Sequence, residues 1–217
     1  GVAAQTDRIL GLASAFGDLD EPRVEAEVEN LLHGGMRPRE IQKILELGMR
    51  IVAESYRIGE YFLADRLYAG RLYRRIMEMP RMSSVLPGAS PLGTVLVGAL
   101  PGEFHDEGND ALAAALRSLG LQAVDLGLGA GAEELEAALV ELKPGAAVFS
   151  CWRSDAAATT ATLVRRLRAA FPGLGGLALR GGEALASTFS RLGADAYVED
   201  ILAAQDFCLA RAKGAAS

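Results

Sequence analysis

A chain of 217 residues has room for one large domain or two small ones, each able to bury a core. Half the residues are hydrophobic and 23% are charged, the balance of a folding globular chain rather than a disordered or collagenous one. The 22 basic side chains are outnumbered by 28 acidic ones and form no run that stands out, so neither nucleic acid nor an acidic membrane is expected as a direct partner.

Over residues 6–79 apolar side chains recur at intervals of three and four, as in Ile41, Ile44, Leu45, Met49 and Val52, which is helical spacing. Breaks at Gly17 and Asp18, at residues 33–38 with two glycines and a proline, and at residues 57–60 around Gly59 predict four helices in a bundle over residues 1–79. Residues 80–93, with three prolines and little apolar pattern, read as a linker.

Beyond it the period changes. Short apolar runs at 94–100, 122–126, 146–149, 174–179 and 194–198 alternate with amphipathic stretches at 107–119, 133–142, 155–170, 183–192 and 200–210. Five such βα units over residues 94–217 predict a flavodoxin-like, Rossmann-type, doubly wound five-stranded parallel sheet, making the whole an α/β chain with an N-terminal four-helix bundle. No stretch of about eighteen uncharged apolar residues occurs, and the first residues lack a basic segment followed by an apolar block; a cytoplasmic location is expected.

Doubly wound sheets bind ligands at the carboxyl ends of their strands, usually beside the first. Here that loop carries Glu103, Phe104, His105, Asp106, Glu107 and Gly108. Imidazole is a common metal ligand, and the ring nitrogen not on the metal usually donates to a carboxylate, for which Glu103 and Asp106 are at hand. Gly108, opening the next helix without a side chain, would let a bulky, phosphate-bearing ligand approach the backbone. A lone loop histidine is more often simply solvated, so spacing alone does not decide.

Two segments resemble the corrinoid proteins of anaerobic methyltransferase systems, which are similar in turn to the cobalamin-binding part of methionine synthase. Gly59 to Leu63, followed by Ala69 and Gly70, is similar to the signature of that family's helical cap. Glu103-x-His105-x-x-Gly108, then Ser150-Cys151-Trp152, then Gly181–Gly182, resemble its Asp-x-His-x-x-Gly, Ser-x-Leu and Gly-Gly motifs in the same order. The resemblance implies a methyl carrier in which cobalamin is bound with His105 on cobalt. Glu103, Asp106, Gly108, Ser150, Trp152, Gly181 and Gly182 would line the site, with the dimethylbenzimidazole tail beside Gly108. It further implies donor-side and acceptor-side methyltransferases as partners, with 1–79 as cap, 80–93 as hinge and 94–217 as the cobalamin-binding domain.

Two departures bear on tuning: Glu103 stands where the family has Asp, and Trp152 where it has Leu. The Glu-x-His-x-x-Gly form is also similar to regulatory domains that sense light or redox state through cobalamin or haem. That keeps open a sensor or antirepressor acting through a protein partner.

The remaining polar and reactive residues have structural readings. His33 sits in a helix–helix turn, Cys151 and Cys208 lack metal-type spacing, and Arg71, Arg74 and Arg75 lie toward the end of a helix. Met49, Tyr56, Tyr61, Phe62, Tyr68 and Tyr73 fall at bundle-packing intervals, with one or two left to face a cofactor.

Overall fold

The periodic apolar positions of the first third form α1 (Val2–Gly17), α2 (Glu21–His33), α3 (Pro38–Arg57) and α4 (Leu63–Met77). The computed structural model describes residues 2–104, 108–153, 155 and 157–212, and divides into two units, Gly1–Ser84 and Val85–Ser217.

Carboxylates start the helices of the first unit. Asp20 accepts from the Arg23 amide at 3.2 Å, Glu40 from the Arg37 amide at 3.0 Å, and Asp65 from the Phe62 amide at 2.7 Å, each satisfying a backbone donor that the helix leaves over. The core gathers Leu12, Phe16, Val28, Ile41, Leu45, Leu72 and Ile76. At its centre Phe16 meets Tyr73 edge to face, ring centroids 6.5 Å apart. The buried Tyr73 hydroxyl accepts from Gln42 Nε2 and donates to Glu46 Oε1, both at 2.8 Å, which ties α3 to α4 without stranding a polar atom.

The segment expected to be linker does not start as one. Pro80–Met82 forms a 3-10 turn and Met82 is buried, because one more apolar side chain after α4 still finds the core.

In the second unit β1 (Thr94–Ala99), β2 (Gln122–Asp125), β3 (Ala146–Cys151), β4 (Gly176–Gly181) and β5 (Ala196–Tyr197) form one parallel sheet in the order β2-β1-β3-β4-β5. The order reverses between β1 and β3. β3 and β4 are buried along their whole length, as strands covered on both faces must be. The connecting helices are α5 (Asn109–Ser118), α6 (Ala132–Leu142), α7 (Ala157–Ala170), α8 (Glu183–Ala186) and α9 (Ile201–Ala212). Leu96, Phe149, Leu177 and Leu179 face Leu135 and Leu139 of α6 and Val164 and Leu167 of α7. Gln205 of α9 donates to the Ala115 carbonyl of α5 at 2.7 Å.

The helix expected over 183–192 stops at Ala186 and resumes only as a 3-10 turn, Phe189–Arg191. Ser187 and Thr188 stand at the break, where the Thr188 hydroxyl turns back to the Leu185 carbonyl at 3.4 Å and competes with the helical ladder. Among the described residues no helix is long and apolar enough to cross a membrane.

One glycine in the bundle is set by packing. A Cβ on Gly48 would fall 2.6 Å from the Cβ of Phe16, whereas one on Gly11 would meet nothing nearer than 3.8 Å. Gly48→Ala should therefore lower unfolding stability by about 1–2 kcal/mol, overpacking outweighing the helix-propensity gain. Gly11→Ala should raise it by about 0.5–1 kcal/mol. Urea denaturation of the two variants reads the opposite signs.

Candidate functional site

Strands β1, β3 and β4 end side by side, with Ala99 opposite Ser150 and Ser150 opposite Arg180. The loops singled out in the sequence therefore meet at one edge of the sheet, at the β1/β3 reversal. His105 and Asp106 lie outside the described residues; the other six expected site residues are within them.

Glu103 follows β1 and is buried, only 7% exposed. Its Oε1 accepts from the Arg153 amide at 3.3 Å, while Oε2 is buried without a hydrogen-bond partner among the described residues. A buried carboxylate oxygen left in this state is costly, and such an atom in a native fold calls for a donor. Arg153 itself turns outward to a bidentate pairing with Asp155, at 3.0 and 2.9 Å. The neighbouring Phe104 ring is 84% exposed.

On the other side of the sheet end, Gly108 takes φ +89° and caps α5. That left-handed backbone suits glycine. Directly after it Asn109, which the sequence reading passed over, donates from Nδ2 to the Ser150 hydroxyl at 2.9 Å, both residues buried. Ser150 is thus fully enclosed and engaged by α5. Arg180, also passed over, is buried beside it, with its Cζ 5.6 Å from the centroid of the half-buried Trp152 ring. A Cβ on Gly108 would stand 3.2 Å from Nη2 of the same guanidinium. A cation inside an otherwise apolar strand, Leu-Ala-Leu-Arg before Gly-Gly, was the readable signal for Arg180. Nothing in the sequence pairs Asn109 with a residue 41 positions away.

The two glycines after β4 differ in origin. A side chain on Gly181 would collide with the Cys151 carbonyl, so strand packing alone requires glycine there. Its own carbonyl accepts from the Tyr197 hydroxyl at 2.5 Å. Gly182 has nothing within 4 Å of where a Cβ would stand, so space for an approaching ligand remains there.

Behind the opposite face of the same strand ends lies a cavity of about 460 Å³ lined by Leu100, Pro101, Cys151, Thr160 and Leu163 among others. Cys151 is buried, with its Sγ 3.9 Å from the Thr160 hydroxyl; burial and the nearby Glu103 push its thiol up. Burial pushes the Cys208 thiol up to about 12. His33 ends α2 with Nδ1 2.7 Å from the Glu29 carbonyl, and Arg75 pairs with Glu21 and Glu25. Among the described residues no three metal-ligating side chains cluster.

The raised thiols make a test. Both cysteines are free and buried, so neither should react with a disulfide reagent at pH 8 until the chain unfolds, when both should. Because the folded Cys208 value exceeds the unfolded one of about 9, its stabilising share is whole below pH 9 and is lost as pH rises toward 12. Denaturation midpoints measured from pH 8 to 11 should fall, and fall less in Cys208→Ala.

Comparison with known proteins adds the rest. A family model described as the B12 binding domain matches residues 9–79. Trimethylamine corrinoid protein 1 of Methanosarcina acetivorans is 31% identical over 146 residues, 66% of this chain and 68% of that protein. The trimethylamine corrinoid protein of Methanosarcina barkeri is 30% identical over 169 residues, 76% of this chain and 75% of that one. Among solved structures, the Methanosarcina barkeri monomethylamine corrinoid protein shares the fold at a TM-score of 0.67 and 20% identity, covering 92% of this chain and 95% of the other. A cobalamin-binding protein from Desulfitobacterium hafniense does so at 0.60 and 22%, covering 92% and 96%.

Proposed function

This chain belongs to the family of corrinoid proteins, and from that premise we propose that it is a cobalamin-binding methyl carrier serving methyltransferase partners, with His105 as the residue that would hold the cobalt. When bound, the corrinoid would supply the methyl-transfer chemistry, while the protein's own residues hold it, enclose it and present it to the partners.

The observation that carries the site assignment is the Glu103 carboxylate, two residues before His105, with Oε2 buried and lacking a hydrogen-bond donor among the described residues. An imidazole bound to metal through one nitrogen offers an N–H from the other, and a fixed carboxylate is its usual acceptor. Arg153 holds Oε1 from behind, so the orientation of this carboxylate is set by the backbone after β3 rather than by solvent. Glu103 thus fits the acceptor that a metal-bound imidazole calls for. Glu103, Asp106, Gly108, Ser150, Trp152, Gly181 and Gly182 remain the proposed cofactor-binding set.

In the same proposal residues 1–79 are the cap, 80–93 the linker, whose first turn packs with the bundle through Met82, and 94–217 the cobalamin-binding part. The cap assignment is supported by the family model over 9–79 and by apolar side chains left on the helical unit's surface, Phe62 at 74% and Ile58 at 52% exposure. A flat corrin face needs such apolar cover. A cytoplasmic setting belongs to the reading too, and two unpaired cysteines suit a reducing compartment.

Purified chain mixed with hydroxocobalamin and desalted should retain the corrinoid with the visible spectrum of a cobalt whose benzimidazole has been replaced by histidine. His105→Ala should lose that signature. In Glu103→Gln the histidine-ligated fraction should fall by about ten- to a hundredfold in apparent affinity, the usual scale for losing an outer-shell acceptor. Absence of retained corrinoid in the unaltered chain would sink the proposal.

A further inference from the structure

The hollow on the α7 side of the strand ends has the make-up of a small-molecule site. Its volume of about 460 Å³ falls within the roughly 300–1,000 Å³ common among such sites. Leu100 after β1, Cys151 at the end of β3 and Thr160 of α7 are its buried members, each at most 4% exposed. Ala132 and Leu163 are half-buried, and Ala158 stands exposed at the rim. The lining is mostly apolar, with two polar atoms at its floor. Among the described residues the Thr160 hydroxyl meets only the Cys151 Sγ, 3.9 Å away, a weak partner for a buried hydroxyl. The lining also holds no unbalanced charge. Arg166 is taken up by a bidentate pairing with Glu136 of α6, at 2.5 and 2.8 Å, while burial and the nearby Glu103 push the Cys151 thiol up and keep it neutral.

We propose that this hollow is a second ligand site, one for an uncharged, mainly apolar molecule of one or two rings whose single hydroxyl or carbonyl oxygen bonds to the Thr160 hydroxyl. Size, charge and polarity each follow from a different observation. A dry cavity of roughly 150 Å³ is enough for benzene, so a space about three times larger takes a fused pair of rings. A charged molecule would leave water for a lining whose arginine is already paired, at a cost nothing there repays. A molecule without a polar atom would cover the Thr160 hydroxyl and leave it the thiol alone, whereas one oxygen supplies the stronger partner. None of these residues is in the set proposed to hold the corrinoid. Ser150, which is, lies toward α5 on the other face of β3, so the inference stands apart from the corrinoid reading.

The test is calorimetric titration of the full chain at pH 7 with 2-naphthol, which is neutral and carries one hydroxyl, beside 2-naphthoate, which is the same size and anionic. Ala158→Phe and Thr160→Val are titrated in parallel, with circular dichroism to check folding. The unaltered chain should bind 2-naphthol at least tenfold more tightly than 2-naphthoate, on the order of 1.4 kcal/mol. Ala158→Phe, which puts a ring into the mouth from an exposed position, should weaken 2-naphthol about tenfold or more and carries the test if Thr160→Val does not fold. Thr160→Val, which keeps the shape and removes the hydroxyl, should weaken it about two- to tenfold, the worth of one hydrogen bond. Absence of 2-naphthol binding at about millimolar probe overturns the inference, as does equal binding of the anion. An affinity left within about twofold by folded Ala158→Phe places the probe elsewhere, the α5 side of the sheet included, and overturns it too. Retention of hydroxocobalamin by the same chain is read separately, so either proposal can fail alone.

Discussion

Everything at the site depends on how closely β3 and β4 run at their carboxyl ends. Gly181 lies against the Cys151 carbonyl so tightly that no side chain could stand between them. That approach keeps the two strands paired through Cys151↔Gly181 and lets both leave the sheet at the same height. With β1 in register on the far side of β3, the loops after three strands converge on one spot. Loosening this one contact would separate Ser150 from Arg180, which pair across the same two strands. The glycine matters less for its conformational freedom than for the missing atom.

The helical unit solves a different problem by different means. Its core contains a buried tyrosine hydroxyl, an amide and a carboxylate, which would be destabilising singly and are tolerable as a chain of hydrogen bonds, Gln42 to Tyr73 to Glu46. Such a network has one good arrangement, so it fixes the register of α3 on α4 more sharply than apolar packing does. It also leaves the exposed apolar side chains of the same unit, such as Phe62, free of structural duty.

Element type and order were legible because each segment's period matched its environment: three to four where one helix face is buried, and continuous apolar runs where β3 and β4 are covered on both sides. Boundaries were less so. Met82 belongs to the bundle although it follows Pro80, because burial of a single thioether decides it and pattern does not. The strand expected to end at Phe149 continues to Cys151, carried by pairing to Gly181 that no local propensity encodes. At the strand ends, the resembled motifs singled out Glu103, Gly108, Ser150, Trp152, Gly181 and Gly182 but not Asn109 and Arg180, whose contacts arise only with a residue 41 positions away or across neighbouring strands. Gly181 was singled out for a ligand, yet the fold requires it for packing.

Strand alternation gives the site two sides with separate duties. On β3 successive side chains point to opposite faces, so Cys151 lies toward α6 and α7 while Ser150 lies toward α5. Glu103 is near enough to Cys151 to help push its thiol up, whereas Arg180 pairs in register with Ser150 and has its Cζ 5.6 Å from the Trp152 ring centroid. The carboxylate near Cys151 and the guanidinium opposite Ser150 thus lie on the two sides set by strand alternation. Cys151 and Thr160 therefore border the cavity beside α7, while Ser150, engaged by Asn109, faces α5 from the opposite side of the same strand.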